Sequence, residues 1–111
     1  MDNIISIEDF KKGEIRAGEI VAVEIIPESE KLLKLSVNFG EERPRTVVSG
    51  IRKYFENLEE LKGVKCAFAT NLEPRPLMGI TSEAMILALS TDDDFSLLRV
   101  KDTIPAGTRV K

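Results

Sequence analysis

The sequence lacks histidine and tryptophan altogether and has a single cysteine among its 111 residues. Histidine is the commonest general base, metal ligand and near-neutral pH switch of proteins, so its absence removes many catalytic and metal-binding arrangements. Cys66 alone can form neither an intrachain disulfide nor a zinc cluster. Because the sequence also shows no nucleophile beside a base and no phosphate-cradling glycine loop, we expect no enzyme activity, no metal and no cofactor.

Long hydrophobic runs are absent as well. No segment approaches the roughly 20 apolar residues that span a bilayer, and the N-terminal stretch MDNIISIEDF has too little apolar content for a signal peptide. We therefore expect a cytoplasmic protein without membrane contact, which agrees with the lone cysteine. The composition shows no break, so residues 1–111 are expected to form one domain.

The charge is negative overall but unevenly distributed. The formal net charge is −3, from 16 Lys and Arg against 19 Asp and Glu. Residues 31–53 hold 6 basic and 2 acidic side chains, a net of +4, whereas residues 1–30 sum to −5 and residues 54–111 to −2. The chain is therefore not a globally basic nucleic-acid binder, but it can still have a local surface that faces an anion.

Alternating apolar residues predict a protein made mainly of strands. The segments with this pattern are Glu14 to Ile25, Lys31 to Phe39, Arg45 to Ser49, Val64 to Thr70 and Glu83 to Leu89. Short helices are predicted over Ile7 to Lys12 and between Asn57 and Gly63, where a capping residue precedes and a glycine follows. In the first strand the alternation slips beside Gly18, as it does at a bulge or a tight corner.

This order of elements predicts an all-β fold. Five short strands with a helix between the third and the fourth is the order of an OB fold, a five-stranded Greek-key barrel, although a generic small barrel fits the periodicity almost as well. The barrel would span about residues 14–89 and leave a C-terminal extension, residues 90–111. The apolar residues of that extension must be covered, and they include Phe95, Leu97, Leu98, Val100 and Ile104. They either cap their own barrel or form the interface of a homodimer.

The second predicted strand has a polar face with a cation, a hydroxyl and an amide, which belong to Lys34, Ser36 and Asn38. Successive side chains on one strand face are about 7 Å apart, a spacing that can follow a phosphate backbone. The same basic block continues with Arg45, Arg52 and Lys53. An ordinary solvated sheet face is the other explanation of this pattern.

The segment Asn71 to Ile80 is a second candidate for binding. Two prolines flank Arg75, which restricts the backbone there and lowers the entropy cost of holding the side chain outward. Aromatic residues are few, five phenylalanines and one tyrosine, and most occupy core positions in the pattern. Stacking platforms for single-stranded bases are therefore not expected.

Several segments, taken together, resemble one known family. The blocks KLLKLSVNFGEERPRTVVSGIRKYF and NLEPRPLMGITSEAMILAL are similar to the tRNA-binding OB domain of methionyl-tRNA synthetase C-termini, of free-standing bacterial tRNA-binding proteins and of the endothelial monocyte-activating polypeptide. The resemblance covers roughly Ile7 to Val110. It implies the OB fold, tRNA as a partner, and a twofold dimer built by the C-terminal extension.

The resemblance also implies roles for single residues. The segment ITSEAM is similar to the family's SEGM signature, whose Ser and Met are implicated in docking tRNA, so Ser82 and Met85 are implied to contact RNA. The segment IPESEKLL resembles the family's HP-x-ADKLL; it retains Lys31 as a cation but has Ile26 in place of the histidine.

Three expectations are structural. Met85 shares a predicted strand face with Leu87 and Leu89, so it could belong to the core instead of a contact surface. Glu83 would repel phosphate unless it is paired, and we expect it to hold Arg75 or a backbone N–H. Arg43 is expected only to decorate the turn between the second and third strands.

The function favoured by these observations is non-catalytic, structure-specific binding of folded tRNA by a homodimer. Such a protein could be a free-standing methionyl-tRNA synthetase beta-like cofactor or an appended domain of an aminoacyl-tRNA synthetase. The alternative is a protein-interaction module, because a secretion-chaperone-like branch shares the fold and a chain of net charge −3 could bind peptide. That branch lacks the RTVVSGI and NLEPR segments, which favours tRNA.

Overall fold

The computed structural model describes residues 3–111, which are mostly short strands. The helical elements are α1 (Ile7–Phe10) and two 3-10 helices, Arg52–Tyr54 and Leu58–Leu61. The strands are β1 (Ile15–Ile25), β2 (Leu33–Asn38), β3 (Arg45–Ser49), β4 (Lys65–Ala69), β5 (Arg75–Leu77), β6 (Ile80–Ser82), β7 (Met85–Ile86), β8 (Ala88–Ser90) and β9 (Phe95–Leu97).

The main sheet is antiparallel, with the strand order β3-β2-β1-β4-β7. Side chains alternate across it as the sequence predicts: Leu33, Leu35 and Val37 of β2 are fully buried, while the residues between them are half-exposed. At the centre of the core, the ring of Phe39 meets the ring of Phe68 edge-on, with 5.2 Å between centroids. One face of each strand therefore forms a single apolar interior.

Backbone and side-chain hydrogen bonds close the barrel between β3 and the segment that precedes β7. Glu83 N donates to Thr46 O at 2.7 Å, and Glu83 Oε1 accepts from Thr46 N at 3.0 Å. Ser82 Oγ accepts from Val48 N at 2.9 Å. These bonds take the place of a regular strand ladder, so the five-stranded sheet is a nearly closed barrel. The predicted all-β, OB-type fold is confirmed.

β1 bends because it has different neighbours along its length. Its first half pairs with β4 and its second half with β2, and the register shifts between Ile20 and Ala22. The predicted slip is therefore present, two residues beyond Gly18. Gly18 itself is needed for space, because a Cβ there would lie 2.6 Å from Phe39 Cε1 and 2.7 Å from Val37 Cγ1.

The predicted elements differ from the structure in three places. Helix α1 ends at Phe10 rather than at Lys12. The predicted loop from Asn71 contains the hairpin β5–β6, whose two-residue turn, Met78–Gly79, has positive φ at both residues, as a type I′ turn requires. The predicted strand from Glu83 to Leu89 is divided, because β7 pairs with β4 and β8 then leaves to pair with β9.

The C-terminal extension continues the sheet. Ala67 N of β4 donates to Leu98 O at 2.9 Å, and Val100 N donates to Lys65 O at the same distance. Further on, Val110 N donates to Ile15 O of β1 at 2.7 Å. The extension thereby covers the edges of β4 and of the first half of β1, which would otherwise be open to pairing with another chain.

No helix within residues 3–111 is long and apolar enough to span a bilayer. Over the same residues, no group of three or more His, Cys, Asp or Glu side chains could hold a metal ion. Cys66 is fully buried in β4, and this burial raises the pKa of its thiol to about 12.

Candidate nucleic-acid interface

Two connections leave the barrel at the same end. Leu33, the first residue of β2, pairs with Ser49, the last residue of β3, so residues 26–32 and residues 50–57 lie beside each other. Arg52 N donates to Lys31 O at 3.1 Å and joins the two connections directly. The guanidinium of Arg52 also donates to Ser29 O.

The hairpin β5–β6 points toward this end as well. Ser82 is bonded to Val48 and Glu83 to Thr46, so the chain that leaves β6 runs antiparallel to β3. Followed backward from Ser82, β6 therefore leads to the turn Met78–Gly79 beyond the end of β3. We call residues 26–32, residues 50–57 and this turn the loop end.

The polar face of β2 contributes one cation to the outer surface. Lys34 is opposite Val48 of β3, and its ammonium lies 3.9 Å from a carboxylate oxygen of Glu24. Ser36 is half-buried, and Asn38 Oδ1 accepts from Gly40 N at 2.8 Å within the turn after β2. Asn38 is thus a turn-capping residue in this structure, while Lys34 presents its charge outward.

Arg45 points into the structure rather than toward solvent. Its Nε and Nη2 donate to both carboxylate oxygens of Glu41 at 2.9 and 2.8 Å, and its Nη1 donates to Thr70 O at 2.7 Å. Arg16 reaches the same carboxylate with a 2.9 Å bond. Hydrogen bonds from Arg45 and then Arg16 lower the pKa of Glu41 to about 2. Both guanidiniums lie over the ring of Phe39, so this cluster covers one end of the core.

The remaining cations of the basic block lie at the loop end. Lys31 and Lys53 are exposed, whereas Arg52 is partly covered and bonded to Ser29 O. The three residues that continue the basic block beyond the polar face of β2 therefore differ in environment: Arg45 and Arg52 hold loops in place, and Lys53 faces solvent.

An apolar cleft lies between β3 and the hairpin. It is lined by Val48, Leu72, Glu73, Arg75, Leu77, Ser82, Ala84 and Met85. Arg75 is exposed at its rim, and Met85 is 48% exposed. The interpretation of Met85 as a core residue is wrong, because Ile86 is the buried member of β7. The sequence patterns singled out Arg75, Ser82 and Met85 among these residues, but not the other five.

Ser82 lies at the base of this cleft and is only 7% exposed. Its hydroxyl accepts from Val48 N and donates to Ala84 O at 3.1 Å, so its one proton is already used within the protein. The structure gives Ser82 a role in barrel closure and brings it beside Arg75, its partner in the β5–β6 ladder.

Glu83 is paired, as expected, but with a different arginine. It accepts the predicted backbone bond, from Thr46 N, and binds Arg43 through two bonds of 3.1 and 2.7 Å rather than Arg75. The hydrogen bonds from Arg43 lower the pKa of Glu83. The prediction that Arg43 only decorates the turn is wrong, since this ion pair joins the β2–β3 turn to the closing segment.

The five apolar residues predicted for a dimer interface fall into two groups. Leu97 is buried in the barrel core, and Phe95 packs against the core and stacks on Tyr54. Leu98 is exposed, and Val100 and Ile104 are half-covered by their own chain. Phe95 and Leu97 therefore cap their own barrel, which was the other explanation of the apolar extension.

Comparison with known proteins identifies the family of this chain. Residues 15–109 match the family model described as "Putative tRNA binding domain". The chain is 46% identical over 111 residues to the methionine–tRNA ligase of Deinococcus radiodurans and 45% identical over 108 residues to that of Methanocaldococcus jannaschii. It is covered over 99% and 96% of its length, respectively, but spans only 16% of either ligase.

Solved structures share the whole fold. A MetRS-related protein from Pyrococcus horikoshii superposes with a TM-score of 0.90 at 34% identity, over 98% of this chain and 99% of that one. The chaperone CsaA from Bacillus anthracis superposes with a TM-score of 0.83 at 27% identity, over 97% and 99%.

The fold and the surface beside its hairpin are those of an OB-type binding domain. More specifically, the chain belongs to the tRNA-binding domain family, and its curated relatives are methionine–tRNA ligases in which this domain is a small part of the length.

Proposed function

We propose that this chain grips folded tRNA with the outer face of β2, the apolar cleft and the loop end. The observations that support this surface are four cations that reach solvent, of which one lines the apolar cleft and the others lie on β2 and at the loop end. These cations are Lys31, Lys34, Lys53 and Arg75. Cations that are separated on a curved surface can contact the phosphates of a folded RNA. They are less suited to recognising base edges, which requires hydrogen bonds to individual bases. A global positive charge is not needed when the contact is local.

The salt dependence of binding tests this arrangement. If the four cations each neutralise one phosphate, a fourfold rise in salt should weaken binding by roughly 150-fold, with the duplex slope as an upper guide. A filter-binding titration of total tRNA at several salt concentrations measures this slope. Equal affinity for an unfolded RNA of the same length, or no response to salt, would contradict structure-specific binding.

Arg75→Ala tests the position of the surface. Loss of one charge-assisted hydrogen bond should weaken tRNA binding by about 10- to 150-fold. Lys101→Ala is the matched control, because it removes the same charge from the exposed extension beside β4, two strands from β2. The proposal predicts a much smaller effect for the control. Equal losses in the two variants would indicate a general charge effect and no defined site.

We also propose a homodimer, formed by an apolar patch at the N-terminal side of the barrel. Ile4, Ile5, Ile7 and Phe10 are each more than half exposed, and Phe10 lines a groove of about 570 Å³ with Val110. Charges of both signs border the patch: acidic residues begin α1, and Lys11, Arg109 and Lys111 lie across the groove. An apolar centre bordered by both signs is self-complementary under a twofold axis.

Light scattering after size exclusion tests the dimer. Phe10→Glu should give a folded monomer, whereas Leu89→Glu, on the exposed face of β8, should leave the mass unchanged. A monomeric wild-type chain would refute the dimer. Leu98, Val100 and Ile104 stay predictions for a dimer interface on the C-terminal extension. Truncation at Ser90 is a poor test, because it would also remove the buried Leu97.

A tRNA-binding domain of this kind would act in the cytoplasm, where tRNA and its synthetases meet. We propose that it serves an aminoacyl-tRNA synthetase, as an appended domain or as a separate cofactor, since the relatives with this domain are methionine–tRNA ligases. Pull-down of a methionyl-tRNA synthetase by the purified chain, with and without tRNA, distinguishes direct association from association through the RNA.

The second candidate is binding of protein segments. It is favoured by the structural likeness to CsaA chaperones from Bacillus anthracis and from Picrophilus torridus, with TM-scores of 0.83 and 0.85. The apolar cleft beside Met85 could accept an apolar side chain. Separate titrations with tRNA and with an unfolded polypeptide distinguish the two candidates, and peptide binding without measurable tRNA affinity would favour the second.

A further inference from the structure

Three aromatic rings form a rigid surface stack beside the loop end. The ring of Tyr54 lies parallel to that of Phe95, with 4.0 Å between centroids and 9° between planes. Phe55 meets Phe95 edge-on at 5.8 Å. Phe55 and Phe95 pack against the barrel core, so the outermost ring, Tyr54, is supported from beneath. Such a ring is ordered before any partner arrives.

The outer face of Tyr54 is accessible. Phe95 occupies one face of the ring, and a gap of 4.0 Å leaves no room for another group between the two rings. Lys53 Nζ lies 5.2 Å from the ring centroid and must therefore be on the opposite, solvent side. Tyr54 remains 37% exposed, and Lys53 is a flexible, exposed side chain. The ammonium group of an exposed lysine therefore lies over this face.

The surroundings favour a flat ligand that also carries negative charge. Lys53 follows directly from Arg52, whose backbone N–H is bonded to Lys31 O, so two exposed lysines flank the platform. A nucleotide fits both the aromatic ring and the nearby lysines. Its base can stack on Tyr54, and its phosphate can bind the ammonium group of Lys53.

We propose that Tyr54 stacks on an unpaired base of the bound RNA, and that Lys53 moves from the ring to the phosphate of that nucleotide. This inference rests on the proposed tRNA-binding function and adds a specific contact to it. Residues 50–57 belong to the loop end, so an RNA that lies on the face of β2 and the cleft reaches Tyr54 without a change of the fold. The sequence pattern did not predict this platform, because Tyr54 and Phe95 are distant in the chain.

The chain offers a clean optical test. Tyr54 is its only tyrosine and it has no tryptophan, so tyrosine emission comes from this one ring. Saturation of the wild-type protein with tRNA, corrected for absorption with free tyrosine amide, should quench the emission and protect the remainder from acrylamide. Emission that is unchanged and equally accessible at saturation would overturn the proposal.

Variants give an independent measurement. Tyr54→Leu should weaken tRNA binding by about 5- to 150-fold, the usual effect of losing one base-stacking ring, while Tyr54→Phe should retain binding. Lys53→Gln should lower the salt slope by about one. Melting curves verify that each variant is folded. Equal losses for Tyr54→Phe and Tyr54→Leu would indicate a hydroxyl contact and overturn stacking.

Failure of the proposed function has a different signature from failure of the platform. A wild-type protein that retains no tRNA on the filter refutes both. Normal tRNA binding together with wild-type affinity in Tyr54→Leu refutes the platform alone and leaves the remaining surface in place.

Discussion

Replacement of Arg45 by alanine should unfold the protein more readily without removing an RNA contact. The side chain makes four hydrogen bonds: two to Glu41, one to Thr70 O, and one of 3.3 Å to Glu83 O. It thereby joins the β2–β3 turn, the end of β4 and the segment that closes the barrel. Its pKa is raised, first by the hydrogen bonds to Glu41, so it stays charged.

The magnitude follows from burial. The Arg45 side chain is 19% exposed and that of Glu41 is 36% exposed, so the pair lies between a surface ion pair, worth at most about 1 kcal/mol, and a buried one, whose disruption costs about 3 to 5 kcal/mol. We expect a loss of about 2 to 3 kcal/mol in the free energy of unfolding. For a chain of this size that lowers Tm by about 10 °C.

Thermal melts followed by circular dichroism, combined with filter binding below Tm, provide the assay. Arg75→Ala is the matched comparison, because Arg75 is exposed and should lose affinity at unchanged Tm. Glu41→Gln should destabilise less than additively with Arg45→Ala, since both act on one ion pair. The reasoning is refuted if Arg45→Ala melts like the wild type and loses tRNA affinity, which is the behaviour of a surface contact.

Three further outcomes are expected. Ser82→Ala should lower Tm by about 4 to 8 °C, because it breaks the bonds to Val48 N and Ala84 O. The affinity of the folded variant for tRNA should be unchanged. Weaker tRNA binding at the wild-type Tm would favour the RNA contact implied by the family signature. The pKa of Glu41 in the folded protein is about 2, below its ordinary value of 4.5, so its stabilising contribution is present above pH 4.5 and is lost as the pH falls toward 2. Urea unfolding at several pH values should therefore show that the free energy of unfolding falls less steeply with acid in Glu41→Gln than in the wild type. Identical pH profiles would contradict this. Met78→Gly should raise stability by roughly 1 kcal/mol, because φ of 52° is unfavourable for methionine, and a lower Tm in this variant would show that its side chain contributes to packing.

The sequence predicted the barrel because its signals are local. Alternation in β2, the cap of α1 at Ser6 and the short helix after Asn57 each depend on residues within a few positions. The division of β7 from β8 could not be read in this way. The division depends on β9, because Ala88 to Ser90 pair with β9 instead of β4. The pattern of apolar residues is the same for a continuous strand and for a divided one.

The candidate site was harder to predict, because the sequence reports charge but not orientation. Arg45 and Lys34 contribute equally to the +4 block, yet only Lys34 presents its charge outward. The difference is a carboxylate, Glu41, that reaches Arg45 across the turn, and it depends on the folded geometry. The family resemblance singled out Ser82 and Met85. That Ser82 is buried and Met85 exposed depends on the register of β6 and β7, which the sequence does not show.

The two ends of this domain leave the barrel from one place. Val110 is bonded to Ile15, and β1 runs from Ile15 toward Ile25, so Ile15 and Val110 both lie opposite the loop end. A barrel of this design can be fused to another protein before β1, after the extension, or on both sides. In each case the loop end points away from the point of fusion. For protein engineering, a short linker between Val110 and Ile15 would permit circular permutation with every ladder retained. Recombination of genes could move such a domain between enzymes without redesigning how it meets its partner.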